Sequence, residues 1–122
     1  MTSIQLKRVY EDREDGDGFR ILVDRLWPRG IKKEDLGHDL WAKEIAPSED
    51  IRKTFNHEPD RFQPFIKAYL NELNKNEKAN DFLEKVQEEL KNQPVTLLYA
   101  AKDTQYNQAV VLKEWLEQNI KT

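Results

Sequence analysis

The feature that most constrains this chain is residues 94–112. Pro94 opens the stretch, and a continuous apolar, β-prone run follows over residues 95–101. Such a run suits a strand buried on both faces, the kind found where helices cover a parallel sheet. Polar residues 102–106 then give way to a helical pattern, with Ala109, Leu112, Trp115, Leu116 and Ile120 on one apolar stripe. A strand, a polar loop and a helix in succession form the unit at which open α/β sheets place ligands. The helix start leaves backbone N–H groups unpaired and carries positive dipole potential.

The rest of the chain fits around that unit. Residues 4–10 predict an opening strand, the acidic residues 11–18 a turn or mobile loop, and residues 19–25 a second strand with an apolar centre. Pro28 removes a backbone donor and Gly30 permits positive φ, so the chain turns there. Residues 32–36 predict one helical turn and residues 40–45 a third strand. Ser48 is placed to cap a helix near Glu49–Phe55. A second helix begins near Asp60, with Pro64 tolerable only in its first turn. It sets Phe62, Phe65, Ile66, Tyr69, Leu70 and Leu73 on one face. Residues 74–80 predict a polar break. A third helix turns Ala79, Phe82, Leu83, Val86 and Leu90 inward until Asn92-Gln93-Pro94 stops it. Early strands, a helical middle, then a strand and a helix predict the α/β class: a small, mostly parallel sheet with helices packed on its faces, one layered domain over residues 1–122.

Composition sets the bounds. At 122 residues and 38% hydrophobic, the chain holds enough for one core, helped by three Trp and five Phe. Charged residues reach 35% with a net charge of only −3, a mixed surface that argues against a dedicated duplex-binding face. The absence of cysteine excludes disulfides and thiol nucleophiles and fits a reducing compartment. No apolar run has signal-peptide or membrane-span character, so the expectation is a cytoplasmic protein without a membrane partner.

Two constellations can carry chemistry. In Asp24-Arg25-Leu26-Trp27-Pro28-Arg29-Gly30, two guanidinium groups leave the end of a strand, each a planar fork of donors suited to phosphate or carboxylate. In the second, Lys102-Asp103 precede Asn107 and Gln108 at the start of the last helix. If the two strands are parallel neighbours, Arg25, Arg29 and Lys102 converge on an anion at that helix N-terminus. Trp27 then walls the pocket, Asn107 joins the ligand-binding set, and Asp24 or Asp103 orients the cations or exchanges a proton. Each residue also has a plainer use. Arg25 and Arg29 suit ion pairs with Asp24, Asp103 or Glu44, Trp27 suits the core, Asp103 or Thr104 suits a helix cap, and Tyr99 suits packing. His38 and His57 lack partners at ligand spacing and suit surface or capping roles. No metal motif, phosphate-cradling glycine loop or serine elbow is present, so neither metal nor cofactor is called for.

Three blocks, 24–30, 40–48 (Leu40-Trp41-Ala42-Lys43-Glu44-Ile45-Ala46-Pro47-Ser48) and Leu98-Tyr99-Ala100-Ala101-Lys102-Asp103-Thr104 onward to Leu112, occur in an order that resembles the YeaO-like family, domain of unknown function 488. The resemblance spans about residues 4–115. It implies a small bacterial cytoplasmic α/β protein and marks Asp24, Arg25, Arg29, Gly30, Lys102, Asp103 and Asn107 as motif positions. More distant members carry Cys and His in the loop after the last strand. Tyr99, Asn107 and Gln108 stand in that region here, so a thiol or metal mechanism does not carry over. The expectation is therefore a pocket for a phosphate- or carboxylate-bearing small molecule, with Asp24 and Asp103 as candidates for acid–base chemistry. The alternative is a protein- or nucleic-acid-interaction module using the same cations.

Overall fold

The computed structural model describes residues 3–56 and 58–120. Strand β4 (Val95–Tyr99) lies in the interior of the sheet and is buried along its whole length. It pairs in parallel with β1 (Ile4–Arg8) on one side and with β2 (Phe19–Leu22) on the other; the two-residue β3 (Leu40–Trp41) completes the order β1-β4-β2-β3. Leu97 faces Leu6 and Ile21 across these ladders, and Leu98 faces Lys7 and Leu22. The four strands are all parallel, so a continuous apolar sequence at β4 is what burial on both faces demands.

Alternation along the strands sends two sets of side chains to opposite faces. Ile4, Ile21, Val23, Val95, Leu97 and Tyr99 meet the helices α2 (Glu49–Phe55), α3 (Phe62–Lys75), α4 (Glu77–Leu90) and α5 (Gln108–Asn119) in one large core. Val9, Leu22 and Leu98 meet Leu36 of the short α1 (Lys33–Leu36), with Trp27, Ile31 and Trp41 packed beside them. The phenylalanines of α2 and α3 stack, Phe55 on Phe65 at 4.7 Å. The fully buried Tyr69 of α3 donates its hydroxyl to the Ile45 carbonyl at 2.7 Å. Burial holds that hydroxyl neutral by raising its pKa well above the ordinary 10.0, helped by the nearby negative charges of Glu72 and Asp24.

Several sequence expectations change in detail. The third strand is only Leu40–Trp41, because the chain turns at Ala42 and closes a 3₁₀ turn over Lys43–Ile45. The polar break near residues 74–80 shrinks to Asn76 alone. Its N–H returns to Leu73 O at 3.3 Å, ending α3, while its side chain accepts from Lys78 N at 3.0 Å, starting α4. Pro64 occupies the first turn of α3, where its missing N–H has no intrahelical partner to lose. Ser48 caps α2 through a long 3.5 Å contact from Ile51 N.

The acidic loop is pinned by a buried charge network. Lys7 Nζ reaches Asp17 Oδ1 and Glu14 Oε1, each at 2.8 Å, and the Asp12 carbonyl at 2.9 Å. Arg20 pairs with the other oxygen of Asp17 and donates to the Leu36 carbonyl at 2.8 Å and the Gly37 carbonyl at 3.2 Å. Burial alone would raise the Asp17 pKa, yet its hydrogen bonds with Lys7, Glu14 N–H and Arg20 hold the carboxyl below its ordinary value. Gly18 completes the lock at φ 66°, where a Cβ would sit 2.1 Å from the Pro94 carbonyl oxygen. Among the described residues, no helix is long and apolar enough to cross a membrane.

Candidate functional site

The chain leaves β2 and β4, which are neighbours, toward opposite faces of the sheet. The segment after β2 leads to α1 on one side, and the segment after β4 leads to α5 on the other. Where adjacent parallel strands diverge in this way, a crevice opens at their carboxyl ends. A cleft of about 660 Å³ occupies that position, lined by Asp24, Arg25, Trp27, Arg29, Lys102 and Asp103 among others. The turn after Val23 and the turn after Ala101 thus meet in space, and six of the seven candidate site residues share one cavity.

Asp24 ties the two turns together. The Ala100 N–H donates to its Oδ2 at 2.9 Å, and the Gln108 side-chain amide at the first position of α5 donates to its Oδ1. Its own carbonyl accepts from Trp41 Nε1 at 2.8 Å. Burial pushes the Asp24 carboxyl up from the ordinary 3.8 to about 6, against the opposing pull of the Ala100 N–H, the Arg52 charge and Gln108. A carboxyl that titrates there can exchange a proton near neutral pH. Both oxygens, however, already accept from donors that join the loops.

The cations are held differently. Arg25 donates through Nε to the Pro47 carbonyl at 3.2 Å. Arg52, from α2, also lines the cleft. The Arg52 charge acts on Asp24 across the cleft. Gly30, at φ 78°, turns the chain directly after Arg29.

Asp103 lines the cleft and also shapes the loop, its Oδ1 accepting from Gln105 N at 2.9 Å and Tyr106 N at 3.0 Å. Asn107 is the residue the cavity does not include. It is fully buried as the N-cap of α5, accepting from Val110 N at 3.1 Å and donating to the Asp103 carbonyl at 2.8 Å, with Tyr99 hydrogen-bonded to it. Its side chain supports the wall of the cleft from behind. Tyr99 is itself buried, and desolvation, reinforced by Glu11, raises its phenol pKa.

Trp27 lines the cleft and packs edge-on against Trp41 at 5.4 Å and His38 at 5.2 Å, while its Nε1 donates to the Ile31 carbonyl at 2.6 Å. His38 is half-buried against Trp27, with its Nδ1 buried and without a hydrogen-bond partner. His57 lies outside the described residues. Among the described residues, no cluster of three or more His, Asp and Glu side chains could hold a metal ion.

Sequence reasoning missed Arg52, Tyr10 and Leu26 as lining residues. Arg52 sits in a helix whose period gives no hint of its facing Asp24. The signal for Leu26 was present, a leucine between two arginines in a loop.

The fold and the cleft define a parallel α/β protein with a cation-rich crevice at its strand ends. The chain belongs to the inactive DUF488-N3 subclade, whose family description it matches over residues 3–122. It is 52% identical over 114 residues to the uncharacterized protein YeaO of Escherichia coli (strain K12), a match covering 93% of this chain and 96% of that one. It is also 46% identical over 72 residues to the uncharacterized protein Rv3073c of Mycobacterium tuberculosis (strain ATCC 25618 / H37Rv), covering 59% of this chain and 61% of that protein. No solved structure matches the chain.

Proposed function

We propose that this is a cytoplasmic protein whose cleft binds a small anionic molecule, phosphate- or carboxylate-bearing, and holds it without turnover. The observation that carries the proposal is the set Arg25, Arg29, Arg52 and Lys102, four cations lining one cavity against two carboxylates, Asp24 and Asp103. All four residues are exposed, so their charge is presented to the cleft and not enclosed in the fold. Two further points favour holding over catalysis. Asp24, the group with the most suitable pKa, spends both carboxylate oxygens on tying the loops. The family that the chain belongs to is also described as inactive.

Recognition combines two arginine forks, which match phosphate or carboxylate edge to edge, with the point charge of Lys102. The start of α5, where Gln108 lines the cleft, adds positive dipole potential. A thermal-shift titration with inorganic phosphate and small carboxylates tests the proposal. The wild type is expected to gain stability in a saturable way, and Lys102→Met and Arg29→Met to lose most of that gain. An equal shift in all three proteins would overturn the assignment. A cleft occupied by duplex nucleic acid would instead lose affinity steeply between about 50 and 200 mM salt.

A further inference from the structure

Tyr10 and Leu26 remain 50% and 65% exposed, and both line the same cleft as Arg25, Arg29 and Lys102. Tyr10 is not loose. Its hydroxyl donates to the Arg29 carbonyl at 3.1 Å, and the Arg8 guanidinium lies over its ring, 5.1 Å from the centroid. Arg8 is itself anchored, donating to the Ala101 carbonyl at 2.8 Å and the Ala100 carbonyl at 3.1 Å. The ring is thus fixed by contacts to both turns that form the cleft. A rigid, half-exposed aromatic surface binds a flat apolar group with little ordering cost.

We infer that the anionic group taken by this cleft is joined to a planar aromatic ring, the charge meeting Arg29 and Lys102 and the ring meeting Tyr10 and Leu26. Nucleoside phosphates and aromatic carboxylates share this chemistry. The inference rests on the anion-binding reading above and adds the class of ligand. The volume of about 660 Å³ agrees with it, since clefts of roughly 300–1,000 Å³ hold ligands of this size, whereas a bare inorganic anion would leave most of the space and both apolar side chains in water.

Calorimetric titration of the intact protein with adenosine monophosphate, ribose phosphate, an indole carboxylate and acetate separates the two sources. At least one ring-bearing anion is expected to bind about tenfold or more tightly than its ringless counterpart. Tyr10→Ala and Leu26→Ser should reduce that advantage, read as the ratio of ring-bearing to ringless affinity within each variant, to about twofold or less. Tyr10→Phe, which keeps the ring and drops the bond to Arg29, should retain it. Equal binding of ring-bearing and ringless anions overturns the inference and leaves the anion reading standing, as does a loss in Tyr10→Phe as large as in Tyr10→Ala. No binding of any of the four, or ring binding indifferent to Lys102→Met, overturns both.

Discussion

Replacing Asp24 with Asn should stabilise this protein at pH 8, although it alters a side chain that makes two hydrogen bonds. Burial holds the folded-state pKa at about 6 against an ordinary 3.8, so the folded protein binds this proton more tightly than the unfolded chain. Stability contributed by the neutral carboxyl is full below pH 3.8, falls as pH rises toward 6, and is gone above it. That displacement converts to about 3 kcal/mol, carried by ionised Asp24 as a cost at pH 8. The substituted carboxamide keeps a carbonyl to accept from Ala100 N–H, and rotation of the Gln108 amide pairs its new NH₂ with an acceptor. Urea unfolding of wild type and Asp24→Asn at pH 4 and pH 8 checks this, the other carboxylates cancelling in the difference. The variant should equal wild type at pH 4 and exceed it at pH 8 by about 1–3 kcal/mol, on the order of 10 °C in melting temperature. A variant equally destabilised at both pH values would refute the reasoning.

Other consequences follow from the same contacts. Arg29→Met should leave unfolding stability within about 0.5 kcal/mol, because Arg29 is exposed; a large loss by urea denaturation would make Arg29 a lock for the fold. Asp17→Asn should cost about 3–5 kcal/mol, since it strands Lys7 and Arg20 without their buried counter-charge, again read by urea denaturation. Wild type should also lose stability in acid as pH falls below 3.8 through the lowered pKa of Asp17, a drop that Asp17→Asn lacks. Gly18→Ala should cost about 3 kcal/mol in the same assay, because the added methyl meets the Pro94 carbonyl and the backbone is left-handed there.

Much of the fold was legible because it follows from periodicity. The β4 run, the stripes of α3 and α4, and the cap Ser48 are local signals, and the helix-rich middle left few alternatives to a parallel sheet. What sequence could not carry was pairing between distant charges. Lys7, Asp17 and Arg20 look like ordinary strand and loop polarity until β1 and β2 flank β4 and bring them together. The single-residue junction at Asn76 was hidden because residues around it face solvent, where a helix needs no apolar period. In the cleft, the Arg25, Arg29 and Lys102 cluster was visible as chemistry at strand ends, whereas Arg52 enters only through the packing of α2. The cap of α5 was expected at Asp103 or Thr104 and Asn107 at the ligand; instead Asp103 bonds the Gln105 and Tyr106 N–H groups within the loop, α5 starts only at Gln108, and the buried Asn107 caps it.

The most direct measurement of the central claim is a titration of isotope-labelled protein with inorganic phosphate, followed residue by residue in nitrogen–proton NMR spectra. Saturable shifts should concentrate at the Arg29 and Arg25 guanidinium groups, the Ala100 to Asp103 amides and the Gln108 side chain, and should vanish in Lys102→Met. Shifts that do not saturate, or that gather on the α3 and α4 surface away from the ends of β2 and β4, would contradict it.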